Sequence, residues 1–313
     1  MVLVNVLLYL VSFFFIWIGA GLIVSSTSNF AKKLRLSSFT VSFLLLGILT
    51  STPEFSVGIQ AVADHNPGIF VGNLLGGIIV IFLFIIPLLA IFGNGISLKH
   101  ELDKKHLIAS IGVILAPSVV VLDKRVTNLE GFILVFMYFI LAFLVQRKNG
   151  LFDRENSSLL NKKAYSYKDI LKVFLGVAIV FISSTIIVDK TTYFADLFNI
   201  SAFYVGLIIV SLGTNIPEMS IAVRSVIEGK RDIAMGDYLG SASANTLLFG
   251  IFTFLNDGEV LTVNNFIATF IFIGSALTFF YYFSRTKNFI SRTNGFILLG
   301  IYVLFVFFEL VGK

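Results

Sequence analysis

Long apolar runs separated by short polar intervals make up almost the whole sequence. Ten of these runs come close to or exceed the roughly 18 apolar residues that a membrane-spanning helix requires. Their residues do not alternate between polar and apolar, as the strands of a transmembrane barrel do. The runs cover residues 2–26, 38–63, 67–92, 105–122, 127–146, 168–188, 202–228, 231–254, 261–283 and 292–311. The pattern predicts an all-α membrane protein with ten transmembrane helices.

One polar interval is longer than the others and divides the predicted spans into two sets of five. It covers residues 147–167 and is rich in Lys, Asn and Ser. We therefore predict a first five-helix repeat at residues 1–146, a cytoplasmic linker at 147–167 and a second five-helix repeat at 168–313. The remaining connections are short, so we expect no soluble domain of useful size.

Composition supports this class and excludes others. The chain is 57% hydrophobic and 13% charged, whereas soluble domains carry about 25% charged residues. It has no cysteine, which excludes disulfides and thiolate metal sites. There is no nucleotide-binding loop, histidine-based metal motif or nucleophile–base pair, so the sequence predicts a transporter and not an enzyme, with no cofactor. Glu309, near the end of the last span, is expected to be solvated.

The distribution of basic residues predicts an orientation. Cytoplasmic loops of membrane proteins carry an excess of Lys and Arg. If the interval 147–167 is cytoplasmic, 19 of the 23 basic residues lie on that side, and Lys124, Arg125, Lys190 and Lys313 lie on the other. Both termini are then outside, in a multi-pass protein of the plasma (inner) membrane. The net charge of +5 follows from this topology and not from a nucleic-acid partner.

Two short stretches place a proline and a carboxylate in the middle of predicted spans 2 and 7. They are Thr50-Ser51-Thr52-Pro53-Glu54 and Thr214-Asn215-Ile216-Pro217-Glu218. An ionised carboxylate at this depth normally faces a cavity or a partner and marks an ion or substrate pathway. Proline removes a backbone donor and clashes with the carbonyl four residues earlier, here Leu49 and Gly213. We therefore predict that both helices are broken there.

A hard cation such as Ca²⁺ takes carboxylate and carbonyl oxygens together. Broken helices that carry Glu54 and Glu218 would supply both, so we interpret the two stretches as halves of one cation site. The structural alternative is that each proline is only a packing kink and each glutamate is neutral and hydrogen-bonded.

The two stretches belong to an internal repeat. A shift of 164 positions aligns Thr50 with Thr214, Pro53 with Pro217, Glu54 with Glu218, Gly72 with Gly236 and Gly76 with Gly240. Because each half has an odd number of predicted spans, the second copy enters the membrane with inverted orientation. Inverted repeats with interrupted helices in matching positions point to a binding site at the midplane of a secondary transporter.

Predicted spans 3 and 8 carry further polar residues beside the glycine pairs. The glycines indicate close helix packing. A stripe of oxygen-bearing residues at helical spacing follows in span 8, made of Asp237, Ser241 and Asn245. The same stripe in span 3 reads Asn73, Gly77 and Ile81. The second repeat therefore supplies more oxygen ligands than the first. For Asp237, a position near the cytoplasmic end that water reaches is the alternative to a direct role in the ion path.

These residues resemble the cation/calcium antiporter superfamily, and most closely its sodium/calcium exchanger branch. Each repeat of that family carries a Gly-Thr-Ser-x-Pro-Glu motif followed by Gly-Asn-x-x-Gly-Ser-Asn, within ten helices in two inverted repeats. The motif regions here are residues 47–81 and 211–245. By this resemblance Glu54 and Glu218 look like calcium-binding carboxylates, and Thr50 and Thr214 would add carbonyl and hydroxyl oxygens. Neighbouring monovalent-ion positions would involve Ser51, Ser241 and Asn245, and Asn215 and Asp237 complete the candidate ligand set.

The sequence departs from the family pattern at several of these positions. Gly77 stands where the family usually has serine, and Ile81 where it has asparagine or aspartate. Asn245 replaces a frequent acid, and Asp237 replaces an asparagine. The divalent site is retained by this comparison, while the sodium positions near span 3 are depleted. Proton coupling competes with sodium coupling, because neighbouring carboxylates in a low dielectric disfavour the doubly ionised state.

The expected function is secondary antiport of a divalent cation, most simply Ca²⁺, for Na⁺ or H⁺. The family resemblance implies alternating access by motion of predicted spans 1 and 6 around a fixed core. The alternative is a divalent-cation-sensing or partner-binding membrane protein of the same fold that does not transport. The partners expected are the two ions and the lipid bilayer, and a monomer suffices.

Overall fold

The computed structural model describes residues 2–34, 42–97, 104–149, 167–219, 223, 231–256, 259–261, 266–286 and 289–311. Its helices are α1 (Val2–Leu34), α2 (Ser42–Thr50), α3 (Thr52–Ala63), α4 (Pro67–Phe92), α5 (Lys104–Val120), α6 (Asn128–Asn149), α7 (Tyr167–Phe198), α8 (Ala202–Met219), α9 (Arg231–Leu255), α10 (Ile267–Thr286) and α11 (Arg292–Val311). Most of the predicted linker, and residues 220–228 at the end of predicted span 7, lie outside the described residues apart from residue 223.

The chain is a helical membrane protein, as its hydropathy predicts. Among the described residues, eight helices are long and apolar enough to cross a bilayer, and the bent pair α2 and α3 raises the number to nine. Helix α5, with 17 residues, corresponds to predicted span 4 and is one residue shorter than the 18 residues that this count requires. Every predicted span thus has a helix at its position, and the number of ten crossings stays a prediction.

Two helices extend well beyond their predicted ends. Helix α1 has 33 residues and continues past residue 26, and α7 continues past residue 188 to Phe198. A helix of 33 residues is about 50 Å long, whereas the hydrocarbon core is about 30 Å thick. Hydropathy predicts only the part of a helix that lies in hydrocarbon, since backbone hydrogen bonds continue into the polar interface.

The most buried helices form the centre of the molecule. In α4, 89% of the apolar segment is buried, and in α9 the share is 78%, against 28% in the segments of α1, α6 and α11. The phenylalanines along α6, among them Phe132, Phe136 and Phe143, are exposed and face the surrounding lipid. Glu309 corrects one expectation: it is buried and accepts a hydrogen bond of 2.8 Å from Thr269 Oγ1.

Four short strands, which the sequence did not predict, join the loops. Strand β1 (Ile96–Ser97) pairs with β4 (Phe289–Ile290), and β2 (Arg125–Thr127) pairs with β3 (Glu259–Leu261), both antiparallel. Paired strands must lie on the same side of the membrane. The loops after predicted spans 3 and 9 therefore share one side, and the loops after predicted spans 4 and 8 share a side.

Helices α2 and α3 form one apolar segment that is broken at Ser51, where the axis bends by 44°. Pro53 lies in the first turn of α3 and has no N–H for the carbonyl of Leu49. Thr52 Oγ1 donates to that carbonyl at 2.7 Å. A local hydroxyl thus occupies one of the two lone pairs of the Leu49 carbonyl oxygen.

The same order of local structure occurs 164 positions later. A π-helical turn at Ser42–Leu46 precedes the four-residue helix Gly47–Thr50, and a π-helical turn at Gly206–Val210 precedes Ser211–Thr214. Ser51 (φ −75°, ψ 8°) and Asn215 (φ −88°, ψ 9°) end those helices with nearly the same backbone geometry. Ser51 and Asn215 therefore interrupt their segments at corresponding positions, and the 44° bend is the one at Ser51.

Glycines on α4 and α9 allow the broken segments to approach them closely. A Cβ on Gly76 would collide with the carbonyl oxygen of Leu207, and one on Gly240 would collide with that of Phe43. Phe43 and Leu207 are themselves 164 positions apart. The close packing that the glycine pairs predict is present, and each half packs against the broken segment of the other.

Alanine in place of Gly76 or Gly240 is expected to destabilise the protein by about 1–3 kcal/mol, the usual cost of overpacking. The added methyl group would meet backbone atoms, which cannot move independently. Thermal unfolding in detergent measures the effect as a lower midpoint. Gly112→Ala is the matched control, because a Cβ there has no neighbour within 4 Å; equal midpoints for all three variants would contradict the packing.

Candidate functional site

The sequence-predicted site residues form a buried polar cluster between the broken segments and helices α4 and α9. None of them is more than 2% exposed. They are Thr50, Ser51, Glu54, Thr214, Asn215, Glu218, Asp237, Ser241 and Asn245. The structure therefore brings together residues that are separated by as many as 195 positions in the sequence.

Glu54 and Glu218 are the two acidic groups at the breaks, and they are close enough to interact electrostatically. Asn215 Nδ2 donates to Glu54 Oε1 at 3.3 Å, and Ser241 Oγ donates to Glu218 Oε1 at 2.9 Å. Each glutamate thus accepts a hydrogen bond from another residue of the sequence-predicted site. Neither carboxylate faces hydrocarbon.

Two reciprocal hydrogen bonds connect the halves. Thr50 Oγ1 donates to Asp237 Oδ1 at 3.4 Å, and Thr214 Oγ1 donates to Asn73 Oδ1 at 3.0 Å. Asn73 precedes Asp237 by the same 164 positions that separate Thr50 from Thr214. Asn73 was missing from the candidate ligand set, although its alignment with Asp237 was the signal that could have included it.

Each threonine also lies beside the glutamate of the other half. The Thr214 hydroxyl lies near the Glu54 carboxyl, and the Thr50 hydroxyl lies near the Glu218 carboxyl. The Thr50 hydroxyl bonds within its own helix as well, to the carbonyls of Leu46 at 3.0 Å and Gly47 at 3.3 Å. The threonines therefore join the two broken segments around the glutamates.

Asp237 lies inside the cluster and is completely buried. It interacts with both Thr50 and Glu218. The interpretation of Asp237 as a carboxylate that water reaches near the cytoplasmic end does not fit this position. The cluster therefore contains three carboxyl groups, two from the second half of the chain and one from the first.

Several oxygen atoms of the cluster are buried without a hydrogen-bond partner among the described residues. They are Glu54 Oε2, Glu218 Oε2, Asp237 Oδ2, Asn215 Oδ1 and Asn245 Oδ1. Leaving a buried polar atom unpaired costs about 1–3 kcal/mol, so this arrangement favours a positively charged ligand. Within the described part of the chain, no three acidic, histidine or cysteine side chains form a metal cluster, and a cation here would also need hydroxyl, amide or backbone oxygens.

An apolar cavity of about 390 Å³ lies beside the cluster. Helix α1 contributes Tyr9 and Phe13, α4 contributes Phe84, and α8 contributes Asn215 and Met219. Asn215 is the point at which the cavity meets the polar cluster. Helix α1 thus separates one face of the site from its surroundings.

Comparisons with known proteins show what this chain is similar to. The profile of the family described as sodium/calcium exchanger protein matches residues 4–146 and 169–311. The chain is 26% identical to the sodium/calcium exchanger MaX1 of Methanosarcina acetivorans, with 98% of each chain covered. It is 24% identical to the inner membrane protein YrbG of Escherichia coli, over 78% of this chain and 79% of that one.

A solved structure has the same fold. The sodium–calcium exchanger NCX_Mj, in a crystal soaked with Na⁺ and Sr²⁺, superposes with a TM-score of 0.72 over 97% of this chain and 98% of its own, at 20% sequence identity. At this identity the superposition establishes the fold, and the chemistry of the site has to be argued from the residues of this chain.

Proposed function

The chain belongs to the sodium/calcium exchanger family, whose members are transporters and not enzymes. From this premise we propose that it is a secondary antiporter. It exchanges a divalent cation, with Ca²⁺ as the leading substrate, for Na⁺ or H⁺. The observation that carries the proposal is the pair of fully buried carboxylates, Glu54 and Glu218, which two separate broken helices bring together. Two buried anions in a membrane-embedded site are costly unless a cation compensates them.

The divalent ion is proposed to bind between Glu54 and Glu218. Ca²⁺ takes about six to eight oxygen ligands, and the unpartnered oxygens of the cluster supply several of them. The carbonyls of Thr50 and Thr214 supply two more. Both carbonyls lie directly before the residues that interrupt the two helices, Ser51 and Asn215.

The architecture proposed for this function has ten spans in two inverted five-helix repeats. Two observations support it. The reciprocal bonds from Thr50 to Asp237 and from Thr214 to Asn73 are the pattern that a two-fold relation produces, in which each half offers the same groups to the other. The strand pairs join the loop after span 3 to the loop after span 9, and the loop after span 4 to the loop after span 8. Each joined pair lies on the same side of the membrane in the predicted topology.

The orientation proposed follows from the basic residues, with both termini outside and the linker at 147–167 cytoplasmic. The protein resides in the plasma (inner) membrane. A single chain contains both broken segments, and one copy is sufficient for exchange.

Competition for the same carboxylates accounts for the exchange. When the divalent ion leaves, two buried negative charges remain, and crossing between the two access states is costly until Na⁺ or H⁺ neutralises them. Helices α1 and α7 are the proposed moving parts; they pack together, and Tyr9 OH and Thr191 Oγ1 hydrogen-bond at 2.9 Å. Motion of α1 would open the cavity that reaches Asn215.

Purified protein reconstituted into vesicles is expected to take up radiolabelled Ca²⁺ when a Na⁺ or proton gradient is imposed in the opposite direction. Uptake should stop when the gradient is collapsed, because antiport has no other source of energy. Empty vesicles are the control. Ca²⁺ binding without uptake under any of the gradients would contradict antiport and would favour the cation-sensing or partner-binding alternative.

A further inference from the structure

Two sets of polar groups lie beside the pair of glutamates at positions that correspond through the shift of 164, and their chemistry differs. The first, pocket A, is bounded by the Gly47 carbonyl, Ser51, Ser241 and Glu218. Ser51 Oγ donates to Gly47 O at 2.7 Å and lies 3.4 Å from Ser241 Oγ, and Ser241 donates to Glu218. Every polar group in pocket A is therefore an oxygen.

The corresponding second pocket, pocket B, is bounded by the Ser211 carbonyl, Asn215, Gly77 and Glu54. Asn215 takes the place of Ser51, and Gly77 takes the place of Ser241. Asn215 Nδ2 donates to Ser211 O at 2.9 Å and to Glu54 Oε1 at 3.3 Å. In pocket A, Ser51 bonds to the helix carbonyl and Ser241 bonds to the glutamate. In pocket B, the single amide of Asn215 makes both of these bonds.

The two replacements compensate each other in volume. A Cβ on Gly77 would lie 3.1 Å from Asn215 Nδ2 and 2.8 Å from Asn245 Nδ2, closer than real side chains normally approach. The Asn245 amide is held there by a bond of 3.2 Å to Leu74 O. The absence of a side chain at Gly77 is therefore what allows the larger Asn215 side chain to reach Glu54.

The amide closes pocket B to a cation. Serine hydroxyls can rotate and present a lone pair to a bound ion, whereas the nitrogen of an amide only donates hydrogen bonds. Because both neighbours of Asn215 Nδ2 are acceptors, the nitrogen faces them, and the oxygen, which has no hydrogen-bond partner among the described residues, belongs to the ligands proposed for the divalent ion. The positive hydrogens of the amide stand where a monovalent cation would stand in pocket A.

We propose that pocket B of this chain holds no monovalent cation, so that Asn215 together with Gly77 lowers the number of monovalent ions exchanged per divalent ion by one, relative to a chain with serine at both positions. The inference rests on the proposed antiport, since it concerns how many ions accompany each turnover. The size-matched pair is the specificity determinant, and Ser51 with Ser241 forms the remaining monovalent position.

The test measures the coupling ratio of reconstituted protein from the membrane potential at which net Ca²⁺ flux reverses under fixed Na⁺ and Ca²⁺ gradients. Restoring the serines with Asn215→Ser and Gly77→Ser is expected to raise the Na⁺:Ca²⁺ ratio by one relative to the unmodified chain. Ser51→Ala in the unmodified chain is expected to weaken Na⁺ dependence. The single variant Asn215→Ser serves the same purpose if the double variant does not fold.

The possible results distinguish a failure of the inference on pocket B from a failure of the proposed antiport. An unchanged ratio in the serine variants, or an unmodified chain whose Ca²⁺ flux follows protons and ignores Na⁺, would overturn the inference and leave antiport intact. No Ca²⁺ flux in the unmodified chain would instead remove the proposed function itself.

Discussion

Replacement of either Glu54 or Glu218 with glutamine is expected to reduce Ca²⁺ uptake by about 30-fold or more. Removing one partner of a buried charge pair costs about 2–5 kcal/mol, and each 1.4 kcal/mol is tenfold in affinity. Glutamine keeps the size of the side chain and one oxygen, so the loss would come from the charge. Initial rates of uptake into vesicles, normalised to the amount of reconstituted protein, measure the effect.

Glu309→Gln is the matched control for these variants. Glu309 is also buried and hydrogen-bonded, but it lies on α11 and outside the polar cluster, so its uptake should remain close to that of the unmodified chain. Unchanged uptake in both Glu54→Gln and Glu218→Gln would contradict the proposed mechanism. A similar loss in all three variants would mean that the effect is one of folding and not of cation binding.

Replacement of Thr50 or Thr214 with valine is expected to lower uptake by about fivefold or more. Each hydroxyl joins the halves, through Asp237 or Asn73, and lies beside the glutamate of the other half. Valine has nearly the same shape but leaves a buried acceptor unpaired, which costs about 1–3 kcal/mol. Uptake and the midpoint of thermal unfolding are measured on the same preparations. Together they distinguish a loss of transport from a loss of stability.

Serine at the same positions keeps the hydroxyl and should recover most of the uptake. Thr253→Val is a second control, because Thr253 is equally buried and lies outside the polar cluster, and its hydroxyl donates to the carbonyl of Phe249 in its own helix at 2.9 Å. If the serine variants were as impaired as the valine variants, the methyl group and not the hydroxyl would matter, and the bridging role of the threonines would be wrong.

The sequence predicted the class of fold and the residues of the cluster because both depend on strong local signals. A carboxylate beside a proline in the middle of an apolar run is costly, and its duplication at a fixed offset made Glu54 and Glu218 identifiable. The ends of α1 and α7 could not be predicted from the sequence, because hydropathy does not detect the part of a helix that continues beyond the hydrocarbon core. The strand pairs were too short to leave a pattern.

The contacts between the halves could not be read from either half alone. Gly77 looked like the loss of a ligand, whereas the structure shows that its missing side chain makes room for the amides of Asn215 and Asn245. Likewise, Thr52 takes the carbonyl that Pro53 leaves without a partner, which depends on side-chain geometry and not on helical spacing. These features arise from three-dimensional packing, where one residue's effect depends on a neighbour remote in sequence.

The most direct test of the central claim is the anomalous scattering of Sr²⁺ in crystals of this protein. We expect an anomalous-difference peak from Sr²⁺ between the carboxylates of Glu54 and Glu218 in the unmodified chain. The peak should be lost in the double variant Glu54→Gln, Glu218→Gln. A peak elsewhere, or one that persists undiminished in that variant, would contradict the claim that these two carboxylates hold the transported divalent ion.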